Sequence, residues 1–273
     1  MKLLRCIFTE NDCFQAGRVI TPKGVMIHST GANNPMLRRY VQPAPGDVDR
    51  ANLLSELGIN PNGNHWNRGG LDVCVHGFIG RLADGRAASV QTLPWNRRGW
   101  HAGTGTSGRS ANDTHIAFEI CEDGLRDGEY FAMVYREAVE LTAYLCGLFG
   151  LDPLEPGVVI SHSEGYKLGV ASNHGDVEHW FSRFGKTMED FRADVAAELE
   201  GENMTQEKFN EMMDAWLARR AAMAPSAWSE TERAWAEQMG LIRGDGAGNM
   251  SYKSFCTREE LAAIIYRLEH PGE

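Results

Sequence analysis

The sequence predicts an α/β fold, with one central mixed β-sheet flanked by helices and a small all-α module after it. Over the first 200 residues, short apolar runs typical of strands alternate with loops and amphipathic helices, which is the pattern of a sheet covered by helices. Beyond Glu202 the periodicity is helical only. A length of 273 residues accommodates a medium-sized domain and a small one. We therefore predict two domains, over residues 1–202 and 203–273.

Five strands are predicted in the first domain, each from a short apolar run or from alternating apolar and other residues. They cover residues 25–30, 71–79, 88–91, 114–121 and 158–160. Because side chains alternate between the two faces of a strand, Ile116, Phe118 and Ile120 share one face of the fourth strand. Glu119 is then expected on the opposite face.

Helices are predicted where apolar residues recur every three to four positions. They cover residues 47–57, 130–149 and 188–199 in the first domain and 205–223 in the second. Ser229 with Glu232, and Thr257 with Glu260, have the spacing of capping boxes. These two pairs predict two further helices, the last of which runs through Leu268.

Composition excludes several classes of protein. The net charge is −10, whereas nucleic-acid binding relies on a basic face. No apolar run reaches the roughly 18 residues of a membrane helix, and Arg5 and Glu10 interrupt the first apolar stretch too early for a signal peptide. The six cysteines form no CxxC pair, so we expect buried free thiols. We therefore expect a cytoplasmic protein with neither nucleic acid nor membrane as a partner.

Histidines at strand ends suggest a metal site. The chain has nine histidines; His28 lies near the end of the first predicted strand, His162 follows the fifth, and residues 172–180 add more histidine and aspartate. Zinc takes imidazole and carboxylate ligands, three from the protein in a catalytic site. An isolated histidine is more often an ordinary surface or core residue. The residues alone therefore leave a zinc site and structural histidines both open.

Five short segments of the first domain, in a fixed order, carry a resemblance to a known family. They are VMIHSTG (25–31), PWNRRGWHAGTG (94–105), IAFEI (116–120), VISHSEG (159–165) and SNHGDVEHWF (172–181). Together they resemble the zinc-dependent N-acetylmuramoyl-L-alanine amidases, the family of bacteriophage amidase endolysins and peptidoglycan-recognition proteins, over about residues 20–195. The resemblance implies a mixed sheet flanked by helices, with zinc at the bottom of a peptidoglycan-binding cleft.

The resemblance also implies the zinc ligands. His28 and His162 match the family's first two ligands, each at the end of a strand. The third is an Asp or Cys a short way beyond the second, and here Asp176 follows His162 after a longer loop than usual. His174 is the competing candidate. We favour Asp176, because it begins the Asp-Val-Glu-His-Trp run where the family has Asp-Pro or Cys-Pro.

Four other positions receive roles from the same resemblance. Glu119 matches a strand glutamate that acts as general acid and base, and the alternative is a solvent-exposed glutamate. His174 stands where the family often carries a lysine that stabilises developing negative charge. Trp100 and His101 belong to a cleft-wall motif and are expected to contact substrate. Where some members carry a catalytic tyrosine, this chain has Val75. The role of general acid and base is therefore expected to fall to Glu119.

The function implied is that of an endolysin, a bacteriolytic peptidoglycan hydrolase of bacteriophage type. It would use a zinc-activated water to cleave the amide between N-acetylmuramic acid and the L-alanine of the stem peptide, after release from the host cytoplasm. A peptidoglycan binder without activity is the rival, although such binders typically lack a zinc ligand. A glycosidase would need two carboxylates flanking the bond, and Glu119 has no obvious partner at such spacing.

The last quarter of the chain contains a Gly-Asp-Gly turn at 244–246 and a Thr-Arg-Glu-Glu helix start at 257–260. These features resemble a single S-layer homology repeat, which implies binding of secondary cell-wall polymers. A helical packing or oligomerisation module is the alternative. The loop 244–249 is too short for a calcium-binding loop and lacks its glutamate, so we predict no calcium there.

Overall fold

The computed structural model describes residues 1–202, 206–245 and 248–270. The chain separates into two compact units, Met1–Glu202 and Asn203–Glu273. None of the helices in these described ranges combines the length and apolar character that a bilayer crossing needs. All six cysteines lie in the described ranges and are unpaired, and five of them are buried as expected, whereas Cys256 is exposed.

The first unit is built on six strands in the order β1-β4-β3-β5-β2-β6. These strands are β1 (Leu3–Arg5), β2 (Gly24–Ser29), β3 (Gly77–Arg81), β4 (Ala87–Gln91), β5 (His115–Ile120) and β6 (Val159–Ser161). Neighbouring strands run parallel except β3 and β4, which are antiparallel. The sheet is therefore mixed, and with helices around it the predicted fold class is confirmed.

Six helices of the first unit are α1 (Asp12–Gln15), α2 (Arg50–Leu57), α3 (Gly128–Phe149), α4 (His162–Lys167), α5 (Glu178–Phe181) and α6 (Met188–Glu202). The longest, α3, begins where the Asp127 side chain accepts the backbone N–H groups of Glu129 and Tyr130, and it ends at Gly150 in the left-handed conformation. The predictions for α2, α3 and α6 are confirmed. The short helices α1, α4 and α5 were not predicted, because four to six residues show no helical period.

One predicted strand is wrong over most of its length. Residues 71–76 form a loop, in which Cys74 makes only an isolated bridge with Trp100. The loop is apolar because Cys74 and Val75 are buried in it, and the carbonyl of Val73 accepts from the Asn11 side chain instead of from a strand. Residues 74–76 are buried one after another, and this apolar run looks like part of a strand in the sequence. The edge strand β1 was not predicted; it has three residues and pairs on one side only, with β4.

Two apolar clusters cover the two faces of the sheet. Val25 and Ile27 belong to the cluster that includes α3 and α6 side chains, whereas Met26 between them belongs to the cluster on the other face. This alternation is that of a strand buried on both faces. His28 therefore follows on the face of Met26, at the end of β2, on the opposite side from α3.

The second unit contains α7 (Gln206–Ala221), α8 (Glu230–Gln238) and α9 (Arg258–Glu269). The capping box of Thr257 and Glu260 is confirmed at the start of α9. The one predicted for Ser229 and Glu232 is wrong: Ser229 ends a 3₁₀ turn, and its hydroxyl donates to the carbonyl of Ser226. Of the predicted Gly-rich loop, residues 246 and 247 lie outside the described residues.

Candidate metal centre and cleft

A cleft of about 730 Å³ opens beside the carboxyl ends of the parallel strands β2, β5 and β6. Polar side chains at these strand ends meet there, because parallel strands end at the same edge of the sheet. The cleft is lined by every predicted site residue: His28, Trp100, His101, Glu119, His162, His174 and Asp176. These seven residues come from separate strands and loops, and the fold brings them together.

Three of them form a group that could hold a metal ion. His28, His162 and Asp176 each offer one ligand atom, and these atoms all lie within 4.8 Å of one another. The Nδ1 atom of His28 is 3.1 Å from Nδ1 of His162 and 3.4 Å from Oδ2 of Asp176. Both histidines are buried and Asp176 is half-buried.

Each member of this group is held by the backbone around it. His28 lies in β2, with its partner strands β5 and β6 on either side. His162 is the first residue of α4, after the N-cap Ser161, whose hydroxyl accepts the N–H of Glu164 in a capping box. Asp176 Oδ2 accepts the backbone N–H of Ser29 at 3.2 Å.

The other ring nitrogens show which atoms are free for a cation. His28 Nε2 lies 3.1 Å from Nδ1 of His101, and His162 Nε2 lies 3.0 Å from the carbonyl oxygen of Ser172. That carbonyl only accepts, so His162 carries its proton on Nε2. In the same tautomer, the Nε2–H of His28 would donate to Nδ1 of His101. Two bare Nδ1 lone pairs and a carboxylate oxygen then face one another, an arrangement that a cation stabilises. Histidines that bind zinc typically use one ring nitrogen for the metal and donate from the other nitrogen to a neighbouring group in this way.

The protonation states of the group suit a metal. Burial lowers the pKa of His162 to about 4, which favours the neutral imidazole. Burial raises the pKa of Asp176, but its contact with the His28 ring and the backbone N–H that it accepts from Ser29 outweigh burial and hold that pKa at about 2. A neutral imidazole and an ionised carboxylate are the forms that bind zinc. The residues present therefore fit zinc by donor type, tautomer and charge.

Glu119 stands beside this group, paired in register with His28 across β5 and β2. Burial raises the pKa of its carboxyl group to about 7, although His28 opposes the shift. Its Oε2 atom is buried and has no hydrogen-bond partner within the described part of the chain. A half-buried carboxyl group with a buried free oxygen and a pKa near neutrality can take up and release a proton. The alternative of a solvent-exposed glutamate does not fit this burial.

His174, Trp100 and His101 occupy different parts of the cleft. His174 is exposed, with its Nδ1 3.3 Å from the hydroxyl of Ser172. Trp100 is half-buried in the wall and its backbone pairs with Cys74. His101 contacts His28 through its ring, and its backbone N–H donates to Oδ1 of Asn112. His101 is thus placed to orient the His28 ring as well as to line the cleft.

Sequence reasoning missed two contributors. His179, which received no role from the sequence, lines the cleft, and its Nε2 lies 3.0 Å from a carboxylate oxygen of Glu122. The available signal was its place in the Asp-Val-Glu-His run after Asp176. For Glu122 the sequence offers no signal except that the residue lies two positions after β5.

Comparison with known proteins gives one family and several similar structures. Residues 18–177 match the family model described as N-acetylmuramoyl-L-alanine amidase, Amidase_2. The chain is similar to hydrolase AmiA of Staphylococcus aureus in complex with its ligand, at 16% identity over 73% of this chain and 83% of that one, with a TM-score of 0.46. It is also similar to the catalytic domain of PlyG, at 15% identity over 73% and 96%, with a TM-score of 0.46.

A mutant endolysin from Bacillus subtilis is similar as well, at 19% identity over 71% of this chain and 99% of that chain, with a TM-score of 0.41. No match was found among curated proteins.

Proposed function

The chain belongs to the N-acetylmuramoyl-L-alanine amidase family, and from this premise we propose that it is a zinc-dependent endolysin of bacteriophage type. The bond assigned to it is the amide between the lactyl carboxyl group of N-acetylmuramic acid and the L-alanine of the stem peptide. The observation that carries the proposal is the convergence of three acceptor atoms, from His28, His162 and Asp176, beside the buried carboxyl group of Glu119.

His28, His162 and Asp176 would hold the zinc ion. When bound, zinc supplies Lewis acidity, which lowers the pKa of water from 15.7 towards about 7 and polarises an amide carbonyl. His101 and the Ser172 carbonyl keep the two imidazoles in the tautomer that leaves Nδ1 free for the metal. These outer contacts therefore prepare the site before any substrate arrives.

Glu119 moves the protons in the proposed reaction. Its carboxylate takes the proton of the attacking water and passes it to the leaving nitrogen of L-alanine. The raised pKa of about 7 suits both directions of transfer. The free Oε2 atom is the position that receives the proton, because it has no partner among the described residues.

His174 and the cleft wall act on the substrate directly. His174, exposed at the rim near His162, donates to the carbonyl oxygen as negative charge develops on it. Trp100 offers an aromatic surface in the wall. A volume of about 730 Å³ falls within the range of ligand clefts and accommodates a muramyl group with the first residues of a stem peptide.

The second unit is assigned a wall-binding role. Trp228 and Trp235 are exposed and line a pocket of about 460 Å³ together with Arg233, Tyr252 and Lys253. Exposed aromatic rings beside polar groups suit a secondary wall polymer with saccharide units. Replacing both tryptophans by alanine in the full chain should reduce co-sedimentation with purified walls. Unchanged sedimentation with an altered oligomer mass by light scattering would favour the oligomerisation alternative instead.

The reaction is tested by the ends that it creates. Purified cell walls digested with zinc-loaded protein should show new N-terminal alanine and no new reducing sugar ends, and Glu119→Gln protein serves as the inactive control. New reducing ends alone would identify a glycosidase and overturn the proposal. Binding to walls without any new ends would identify the binder that lacks activity.

A further inference from the structure

Glu122 and His179 form a contact outside the predicted site. Glu122 follows β5, and its carboxylate is 6% exposed. One carboxylate oxygen lies 3.0 Å from Nε2 of His179, whose Nδ1 lies 3.3 Å from the carbonyl oxygen of Gly175. A carboxylate and a carbonyl only accept hydrogen bonds, so each ring nitrogen of His179 faces an acceptor. The Nε2–H of His179 donates to the carboxylate and is the polar partner of the buried charge of Glu122.

The backbone of Glu122 joins the same residue to the end of β2. Its N–H donates to the hydroxyl of Thr30 at 3.1 Å, and its carbonyl accepts the N–H of Asn34 at 2.8 Å. Thr30 follows Ser29, whose N–H donates to the Asp176 carboxylate. A closed circuit of contacts therefore runs from Glu122 through His179 to the Gly175–Asp176 segment, and back through the end of β2.

We propose that Glu122 and His179 are positioning residues that hold the Gly175–Asp176 segment against the end of β2 and so set the zinc affinity of the site. This inference rests on the zinc site of the proposed function. The segment needs such support, because residues 173–175 are exposed. Among the described residues, its other polar contacts are those of the Asp176 carboxylate with β2 and a 3.4 Å hydrogen bond from the N–H of Ser163 to the carbonyl of Asp176.

The chemistry of the pair distinguishes it from an ordinary surface ion pair. A pair exposed at both ends contributes little, but here the carboxylate is buried and only the imidazole reaches the surface. Charge-assisted hydrogen bonds are shorter and stronger than neutral ones. Loss of His179 leaves the Glu122 charge buried and unpaired, and it frees the Gly175 carbonyl at the same time. Both effects loosen the position of the Asp176 carboxylate.

The first test is zinc affinity, measured in the full chain by chelator competition. His179→Gln should weaken zinc binding by about 10–100-fold, the usual cost of losing an outer contact of a metal ligand. Glu122→Gln should weaken it in the same direction. His270→Gln, in an exposed histidine of the second unit, is the matched control and should leave the affinity unchanged. Thermal unfolding of the metal-free proteins separates this effect from a general loss of folding.

A double-mutant cycle then asks whether His179 acts through Asp176. In an Asp176→Ala background, the two remaining histidines bind zinc more weakly, and adding His179→Gln should change the affinity by no more than about twofold. An equal loss in both backgrounds would overturn the proposal, as would an affinity of His179→Gln within about twofold of the parent. If the parent binds no zinc, the metal site of the proposed function fails as well; if the parent binds zinc, only the positioning role fails.

Discussion

Two groups of buried histidines in the first unit differ in what their ring nitrogens contact. His115 is fully satisfied, with its ring nitrogens 2.9 Å from the Thr114 hydroxyl and 3.0 Å from the Gly157 carbonyl. His28 and His162 each have one satisfied nitrogen, while their Nδ1 atoms face each other and a carboxylate. Burial is common to both groups, so burial alone does not identify a ligand. Ring nitrogens that face one another and a carboxylate do.

His76 belongs to the satisfied group. Its Nε2 lies 2.6 Å from the carbonyl of Arg97, and its Nδ1 accepts the backbone N–H of Ala117 at 3.0 Å. The ring is fully buried. We therefore expect His76 to affect stability and the facing histidines to affect zinc binding.

The largest effect is expected for His162→Ala. The variant loses one of three ligand atoms, so it should lose its zinc and reduce amide hydrolysis by more than about 10³-fold, because the acidified water is lost. Zinc content after dialysis and release of N-terminal alanine measure both effects. His76→Gln is the matched control and should keep its zinc. If His76→Gln lost its zinc and His162→Ala kept it, zinc binding would belong to His76 and not to His162.

Glu119→Gln separates proton transfer from metal binding. Glutamine keeps the shape of the side chain but cannot accept a proton, so turnover should fall by about 10²–10⁴-fold with zinc retained. Zinc titration and the rate of alanine release are the measurements. Glu129→Gln, in the exposed first turn of α3, should behave as the parent. Turnover equal to the parent in Glu119→Gln would remove this residue from the mechanism.

His174→Ala should have a smaller effect and decides between ligand and catalytic residue. An exposed donor to the carbonyl oxygen contributes less than a buried one, so kcat should fall by about tenfold or more while KM and zinc content stay unchanged. A loss of zinc would instead make His174 the third ligand in place of Asp176. Kinetics on a soluble muramyl peptide, with zinc content measured on the same preparation, gives both results.

The parts of the fold that the sequence predicts are those set by local periodicity. The four strands around 25–30, 88–91, 114–121 and 158–160 carry short apolar runs or alternating apolar residues, which a sheet covered by helices buries. The loop 71–76 misleads because Cys74 and Val75 are buried without strand pairing beyond one bridge. A three-residue edge strand such as β1 leaves too few positions for any period to show.

That His28 and His162 meet was predictable, because one lies near the end of a strand and the other directly follows a parallel strand. Asp176 lies at the end of a long loop, so spacing alone left His174 as a competitor. The pairing of Glu122 with His179 joins residues 57 positions apart, and no local pattern indicates it. Contacts of this kind depend on the fold as a whole.

The smallest effect is expected at His76, and it depends on pH. Burial lowers the pKa of His76 from 6.5 to about 4 in the folded chain. Between those values the unfolded chain binds a proton at this position and the folded chain does not, so stability falls as the pH decreases below 6.5. Protonation would also place a proton on Nδ1, opposite the N–H of Ala117 that it now accepts.

Chemical denaturation of the metal-free protein and of His76→Gln at several pH values measures this contribution. Glutamine can accept from Ala117 and donate to the Arg97 carbonyl as the imidazole does, but it does not titrate. Between pH 6.5 and 5 the parent should lose about 1–2 kcal/mol more stability than the variant. Other buried histidines titrate in both proteins, so only the difference between them reports His76. If the stabilities of the parent and of His76→Gln changed with pH in parallel, His76 would be protonated as readily in the folded chain as in the unfolded chain. Only zinc binding would then distinguish the satisfied histidines from the facing ones.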